Sequence, residues 1–177
     1  MGEHCLLSFF SRKLNPSLQV GRIFEISQED LLRRDIKGLI VDLDNTLTEW
    51  GRDAMAEETL DWLRQAQDNG FGICMLSNNR GDRLARIAET LNIAFIEGAS
   101  KPRRRGFRQA IELLQVEPER IAVIGDQVFT DVLGGNRLGL YTILVSPMSS
   151  REFIGTRLVR IPERAVLGAL KRSKRKG

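Results

Sequence analysis

A chain of 177 residues, 42% hydrophobic and 28% charged, has room for one buried core and the composition of an ordinary globular domain. It holds no apolar run near the ~20 residues that cross a bilayer, its start MGEHCLLSFFSRK lacks the order of a secretory leader, and Leu6 stands where a myristoylation signal wants Ser or Thr. Two cysteines, Cys5 and Cys74, and one histidine, His4, exclude a disulfide framework, a His- or Cys-based zinc site, a Ser-His-Asp triad and phosphohistidine chemistry. These features together predict a cytoplasmic protein.

In chain order, residues 1–36 read as an N-terminal arm. In it Leu6, Leu7, Phe9 and Phe10 precede Arg12 and Lys13, a pattern that suits either an interfacial segment on an acidic bilayer or a terminal cap on the core. Lys37–Leu43 is a short apolar, β-branched run, and so a buried strand. Glu57–Asp68 is predicted as a helix, with Leu60, Leu63 and Ala66 on one face and Gly70 as its stop. Phe71–Leu76 is a second strand. Asp82–Leu91 is a helix, with Leu84, Ile87, Ala88 and Leu91 at helical spacing. Ile93–Ile96 is a third strand, Arg104–Leu114 a helix and Ile121–Ile124 a fourth strand. A short helix over Thr130–Arg137 meets Gly139, and Leu140–Val145 is a fifth strand. Alternating strands and helices predict an α/β fold, a Rossmann-like three-layer sandwich on a mainly parallel sheet.

The net charge of +4 is unevenly spread. Residues 157–177 hold eight basic residues and one acid, a net +7, which leaves −3 for the other 156 residues. Residues 161–177 read as a basic C-terminal helix and tail, with Val166, Leu167 and Leu170 among the arginines. Two readings stand: a solvated tail, or a contact for an anionic partner such as acidic lipid or nucleic acid.

In parallel sheets, ligands gather past the carboxyl ends of the strands, and the residues with chemistry follow each strand in this chain. Asp42 and Asp44, two apart at a strand end, share a face. Their repulsion asks for a cation or a shared proton, and a magnesium ion bound with phosphate oxygens supplies the cation. One carboxylate can then attack phosphorus while the other moves protons. Ser77 and Asn78 follow the second strand, Lys101 the third after a short linker, and Asp126 and Asp131 the fourth. Lys101 offers charge to phosphoryl oxygens, and the two later acids add metal ligands. Each signal alone has a plain reading: caps and turns for the acids, solvated loop residues for Ser77 and Lys101.

The ordered set DLDNT (42–46), Ser77, Lys101-Pro102 and GDQVFTD (125–131) resembles the four motifs of the haloacid-dehalogenase (HAD) superfamily of phosphatases. VDLDNTLTEW, LSNN and IGDQVFTDVLGGNRLGLYTILVSP narrow the resemblance to the bacterial YqeG family, in the capless subclass IIIA. That family is similar to the phosphatidylglycerophosphate phosphatases, and the resemblance covers about residues 15–163. It implies Asp42 as nucleophile and Asp44 as general acid/base. It further implies Thr46, Ser77, Asn78 and Lys101 around the phosphoryl group. The metal set it implies is Asp42, Asp44 (through its main-chain carbonyl), Asp126 and Asp131, holding Mg2+. The phosphatase core would then span residues 37–160.

Spacing bears on the substrate. Between Asp44 and Ser77, and between Ser77 and Lys101, there is room for a helix and a strand but no lid domain. An open site suits a bulky phosphomonoester such as a lipid head group, with peripheral contact at the inner membrane face; a second subunit acting as lid, in a homo-oligomer, is the alternative. A soluble phosphatase for a small sugar or nucleotide phosphate and an RNA- or ribosome-associated accessory protein are the competing functions. Lys101, Arg103, Arg104, Arg105 and Arg108 add positive charge beside the site, either to attract an anion or as a solvated helix start. The C-x5-R spacing from Cys74 to Arg80 is that of a cysteine phosphatase, but no glycine lies between to form a tight cradle. Cys74 also falls inside an apolar strand, where a buried inert thiol is expected.

Overall fold

The computed structural model describes residues 13–149. The interfacial readings of Leu6–Phe10 and of residues 161–177 lie outside them.

The sheet has six strands, all parallel, in the order β1-β6-β5-β2-β3-β4. These are β1 (Leu18–Val20), β2 (Gly38–Val41), β3 (Gly72–Leu76), β4 (Ala94–Ile96), β5 (Ile121–Gly125) and β6 (Tyr141–Val145). The central strands β2 and β5 are buried at every position, as a sheet covered on both faces requires. Their alternation sorts side chains into two layers. Leu39, Val41, Met75 and Ile124 face a cluster closed by Trp62, Leu63, Leu84 and Ile87; Ile40, Cys74, Leu76 and Val123 face one closed by Phe107 and Ala110.

The helices on these faces are α1 (Gln28–Arg33), α2 (Glu57–Asp68), α3 (Asp82–Leu91), α4 (Arg104–Leu114) and α5 (Leu133–Asn136). Those predicted over 57–68, 82–91 and 104–114 have the predicted bounds. Their stops have local causes: Gly70, Asn92 and Gln115 all take positive φ, which no helix continues. The helix expected over 130–137 is instead a π-helical turn at Val128–Val132 that runs into α5.

The expected arm over residues 1–36 does not stand apart from the core where it is described. β1 pairs with β6, Leu18 opposite Ile143 and Val20 opposite Val145. Ile23, Ile26, Leu31 and Ile36 are fully part of the first hydrophobic cluster. Three strand residues are too few to show a period, which is why the pattern gave no strand there.

Candidate active site

Moving along the sheet, the connections reverse direction between β2 and β5, the switch point where open α/β sheets bind ligands. The acids converge there. The Asp42 N–H still donates to the Ile124 carbonyl at 2.9 Å, so Asp42 leaves β2 in register with β5. Asp42, Asp126 and Asp131 bring carboxylate oxygens within 4.8 Å of one another, and all three are buried, at 8, 5 and 2% exposure. Lys101 reaches in from the loop after β4, its Nζ 2.5 Å from Asp42 Oδ1 and 2.6 Å from Asp131 Oδ1.

Each position has a local cause. The π turn lets the Asp131 carboxylate curl back, where Oδ2 accepts from the Gln127 N–H at 3.2 Å and the Thr130 hydroxyl at 3.2 Å. Gly125 is required beneath it: a Cβ there would strike the Asp131 carboxylate. Lys101 is held through its backbone, its N–H donating to Asn78 Oδ1 at 2.6 Å and its carbonyl accepting from Asn78 Nδ2 at 3.3 Å. The Ser77 hydroxyl accepts from the Asn79 N–H at 3.1 Å, tightening the turn after β3.

Burial pushes the Asp42 carboxyl up to about 7; Lys101 opposes the shift, and the negative charges of Asp131 and Asp44 add to it. Burial acts against the Lys101 charge, but Asp131 and Asp42 outweigh it and hold the ammonium above the ordinary lysine range. Cys74 lies on the apolar side of β3, fully buried, and burial pushes its thiol up to about 12. No thiolate forms there near neutral pH, so the C-x5-R spacing carries no chemistry.

Asp42, Asp44, Ser77, Asn78 and Lys101 line one cleft of about 190 Å3, together with Asn45, Trp50, Asn79, Gln127 and Thr130. Thr46 is not among the lining residues: the DLDNT turn folds back, with the N–H groups of Leu47 and Thr48 donating to the Leu43 carbonyl, and buries Thr46 under it. Its hydroxyl has no hydrogen-bond partner among the described residues. The Asp44 carboxylate is turned away from the three-acid cluster. Arg83 Nη1 donates to its Oδ1 at 2.6 Å and Asn79 Nδ2 to its Oδ2 at 2.8 Å.

Arg83 escaped the sequence reading. It also donates to Thr48 Oγ1 at 2.6 Å and pairs with Asp53 at 3.0 Å, tying the loop that carries Trp50 to the start of α3. Its position in the first turn of a helix that directly follows a site loop was the available signal.

Comparison with known proteins agrees with this geometry. Residues 49–139 match the model of the haloacid dehalogenase-like hydrolases, beginning just after the DLDNT turn. The chain belongs to the haloacid dehalogenase-like hydrolases, in the YqeG family of HAD phosphatases. It is 43% identical over 157 residues to the Bacillus subtilis (strain 168) protein described as "Probable phosphatase YqeG", covering 89% of this chain and 91% of that one. It is 30% identical over 173 residues to phosphatidylglycerophosphate phosphatase 1 of Arabidopsis thaliana, a match that spans 92% of this chain and 49% of the plant protein. The fold is shared with the cobalt-bound deoxy-D-mannose-octulosonate 8-phosphate phosphatase of Haemophilus influenzae, at a TM-score of 0.52 and 22% identity over 62% of this chain and 68% of that one. It is also shared with 3-deoxy-D-manno-octulosonate 8-phosphate phosphatase of Yersinia pestis, at a TM-score of 0.52 and 18% identity over 69% of this chain and 79% of that one. No helix among the described residues is long and apolar enough to cross a membrane.

Proposed function

We propose that this phosphatase hydrolyses a phosphomonoester through an aspartyl phosphate on Asp42, with Mg2+ as cofactor and the lipid phosphatidylglycerophosphate as substrate. The observation that carries the chemistry is the buried meeting of Asp42, Asp126 and Asp131 with a single lysine. One ammonium cannot balance three ionised acids taken out of water, and a set of hard carboxylate oxygens suits magnesium. Asp42, Asp126, Asp131 and the main-chain carbonyl of Asp44 would hold the ion, which when bound neutralises charge on the phosphoryl oxygens.

In the first step an Asp42 oxygen attacks phosphorus, and the bond from phosphorus to the substrate's alcohol oxygen breaks as Asp44 delivers a proton to that oxygen. In the second, Asp44 takes a proton from a water that attacks the aspartyl phosphate, releasing inorganic phosphate and restoring Asp42. Lys101 supplies a fixed positive charge to the transferring group throughout. Asn78 acts on the backbone of Lys101 and positions it.

The lipid assignment draws on the plant relative and on the short spans between the motifs. Residues 77–101 hold only α3 and β4, and residues 44–77 only a loop, α2 and β3. Among the described residues these spans hold no separate lid unit to enclose the cleft, which favours a bulky head group. Full-length protein with magnesium would be assayed on phosphatidylglycerophosphate in vesicles beside sugar and nucleotide phosphates, with Asp42→Asn as control. The lipid should be turned over best, and Asp42→Asn should lose at least ~10^3-fold in kcat. A sugar or nucleotide phosphate that outpaces the lipid ends the substrate reading; an active Asp42→Asn ends the mechanism.

A further inference from the structure

Fourteen arginines fall within the described residues, and nine of them have a partner. Arg33, Arg52, Arg64, Arg83, Arg86 and Arg120 pair with acids. Arg22 and Arg137 donate to carbonyls, and Arg34 lies over the Tyr141 ring. The other five, Arg80, Arg103, Arg104, Arg105 and Arg108, have no ion pair or side-chain hydrogen bond among the described residues. Four of the five, Arg103, Arg104, Arg105 and Arg108, lie at or just ahead of the start of α4, and Arg80 directly follows Asn79 of the cleft lining.

Placing them there works against the fold. The first turns of α1, α2 and α3 each carry acids, which suit the positive end of a helix. The first turn of α4 carries Arg104 and Arg105, no acid, and Arg103 just ahead of it. Local rules broken without local compensation mark functional positions.

A groove of about 670 Å3 runs between β4 and α4, lined by Arg80, Arg103 and Arg105, by Gly98, and farther along by Phe95 and Leu113. The two apolar side chains are 39% and 56% exposed. Gly98 serves the groove directly: it takes φ +58°, and a Cβ on it would strike the Arg80 guanidinium, so a side chain there would push Arg80 off the loop. Two acids also line the groove, but Glu97 is engaged, accepting from the Gly81 N–H at 3.0 Å. Glu112 lies at the far end, beside Leu113.

The groove and the cleft share their wall. Arg80 follows Asn79 and Ser100 precedes Lys101, and in each pair one residue lines the groove and its neighbour the cleft. Adjacent Cα atoms are ~3.8 Å apart, so the two spaces are bordered by the same two loops.

The geometry points to a second anion subsite: the groove takes the phosphodiester of a glycerophospholipid whose head group ends in the scissile phosphomonoester, with the chain beyond it along Phe95 and Leu113. This rests on the lipid-phosphate reading above and assigns that substrate's second charge to Arg80, Arg103 and Arg105. Guanidinium groups suit it because they present paired donors to phosphate oxygens.

The test uses full-length protein with magnesium and two soluble substrates. One is glycerol 3-phosphate; the other is glycerophosphoglycerol phosphate, which joins the same phosphomonoester to a phosphodiester. Wild type should favour the second by about tenfold in kcat/KM, the worth of one charge-assisted contact. Replacing Arg80, Arg103 and Arg105 together by Gln should raise KM for that substrate by a similar factor and leave glycerol 3-phosphate within about twofold. Arg33→Gln with Arg64→Gln, remote charge removals, should change neither. Equal use of both substrates by wild type, loss on both in the groove variant, or the same loss in the remote variant overturns the subsite. If the triple variant melts early by circular dichroism, Arg103→Gln alone carries the comparison. Lipid turnover with no arginine effect sinks the subsite and spares the lipid reading. An arginine-dependent preference without lipid turnover does the reverse.

Discussion

Asp42 is pulled two ways, raised to about 7 by burial and neighbouring acids and lowered by Lys101. A carboxyl whose pKa is higher folded than unfolded binds its proton more tightly in the native state. Its contribution to metal-free stability is full below its ordinary 3.8 and is lost as pH rises through about 7. The difference in unfolding free energy between wild type and Asp42→Asn, both stripped of metal, should therefore move against wild type across that window; a flat difference refutes the shift. Magnesium needs the ionised carboxylate, so its apparent affinity by calorimetry should climb with pH up to about 7 and then level off. Arg83 acts through Asp44. Arg83→Ala should slow hydrolysis of glycerol 3-phosphate by about 10–100-fold, where the alcohol needs a proton to leave. It should spare p-nitrophenyl phosphate within about threefold, because a phenolate leaves without that help. Equal losses on the two would reduce Arg83 to a structural tie. Cys74→Ala should keep most activity, since its thiol stays neutral below about 12.

At the scale of elements, the site is a product of how strands end. β2, β3, β4 and β5 each finish at the same edge of the sheet, and the turn after each delivers its own group: Asp42, Ser77, Lys101, Asp126. The π turn after β5 adds Asp131 by bending its carboxylate back over Gly125. Gly125→Ala should move that carboxylate and weaken magnesium binding by about tenfold or more, while overpacking costs ~1–3 kcal/mol of stability. A variant with unchanged metal affinity would show that Asp131 has room to shift. The helices over 57–68, 82–91 and 104–114 were legible because each runs ten or more residues with a clear apolar face and a positive-φ stop. The π turn was not, because its spacing over five residues differs little from an α-helix; the bond from the Val132 N–H to the Gln127 carbonyl, five residues back, distinguishes it.

For the molecule as a whole, the sheet needs residues ahead of Lys37. β1 covers the outer edge of β6, and Ile23 is fully buried in the cluster beneath β2, α2 and α3. Ile23→Ala should cost ~2–5 kcal/mol in denaturant unfolding; a cost near zero would restore the picture of a detachable arm. The sequence by itself determined the fold class and the order of acid, hydroxyl, lysine and acids along the DLDNT-to-GDQVFTD span. Such signals are written over short runs of neighbouring residues, within the reach of local periodicity. Tertiary structure decided which groups meet. Lys101 reaches Asp42 across 59 positions and Arg83 reaches Asp44 across 39, distances in the chain over which only strand order and register set neighbours. That is why the structure, and no spacing rule, turned the Asp44 carboxylate toward Arg83, left Thr46 out of the cleft lining, and gathered Arg80, Arg103 and Arg105 along one groove.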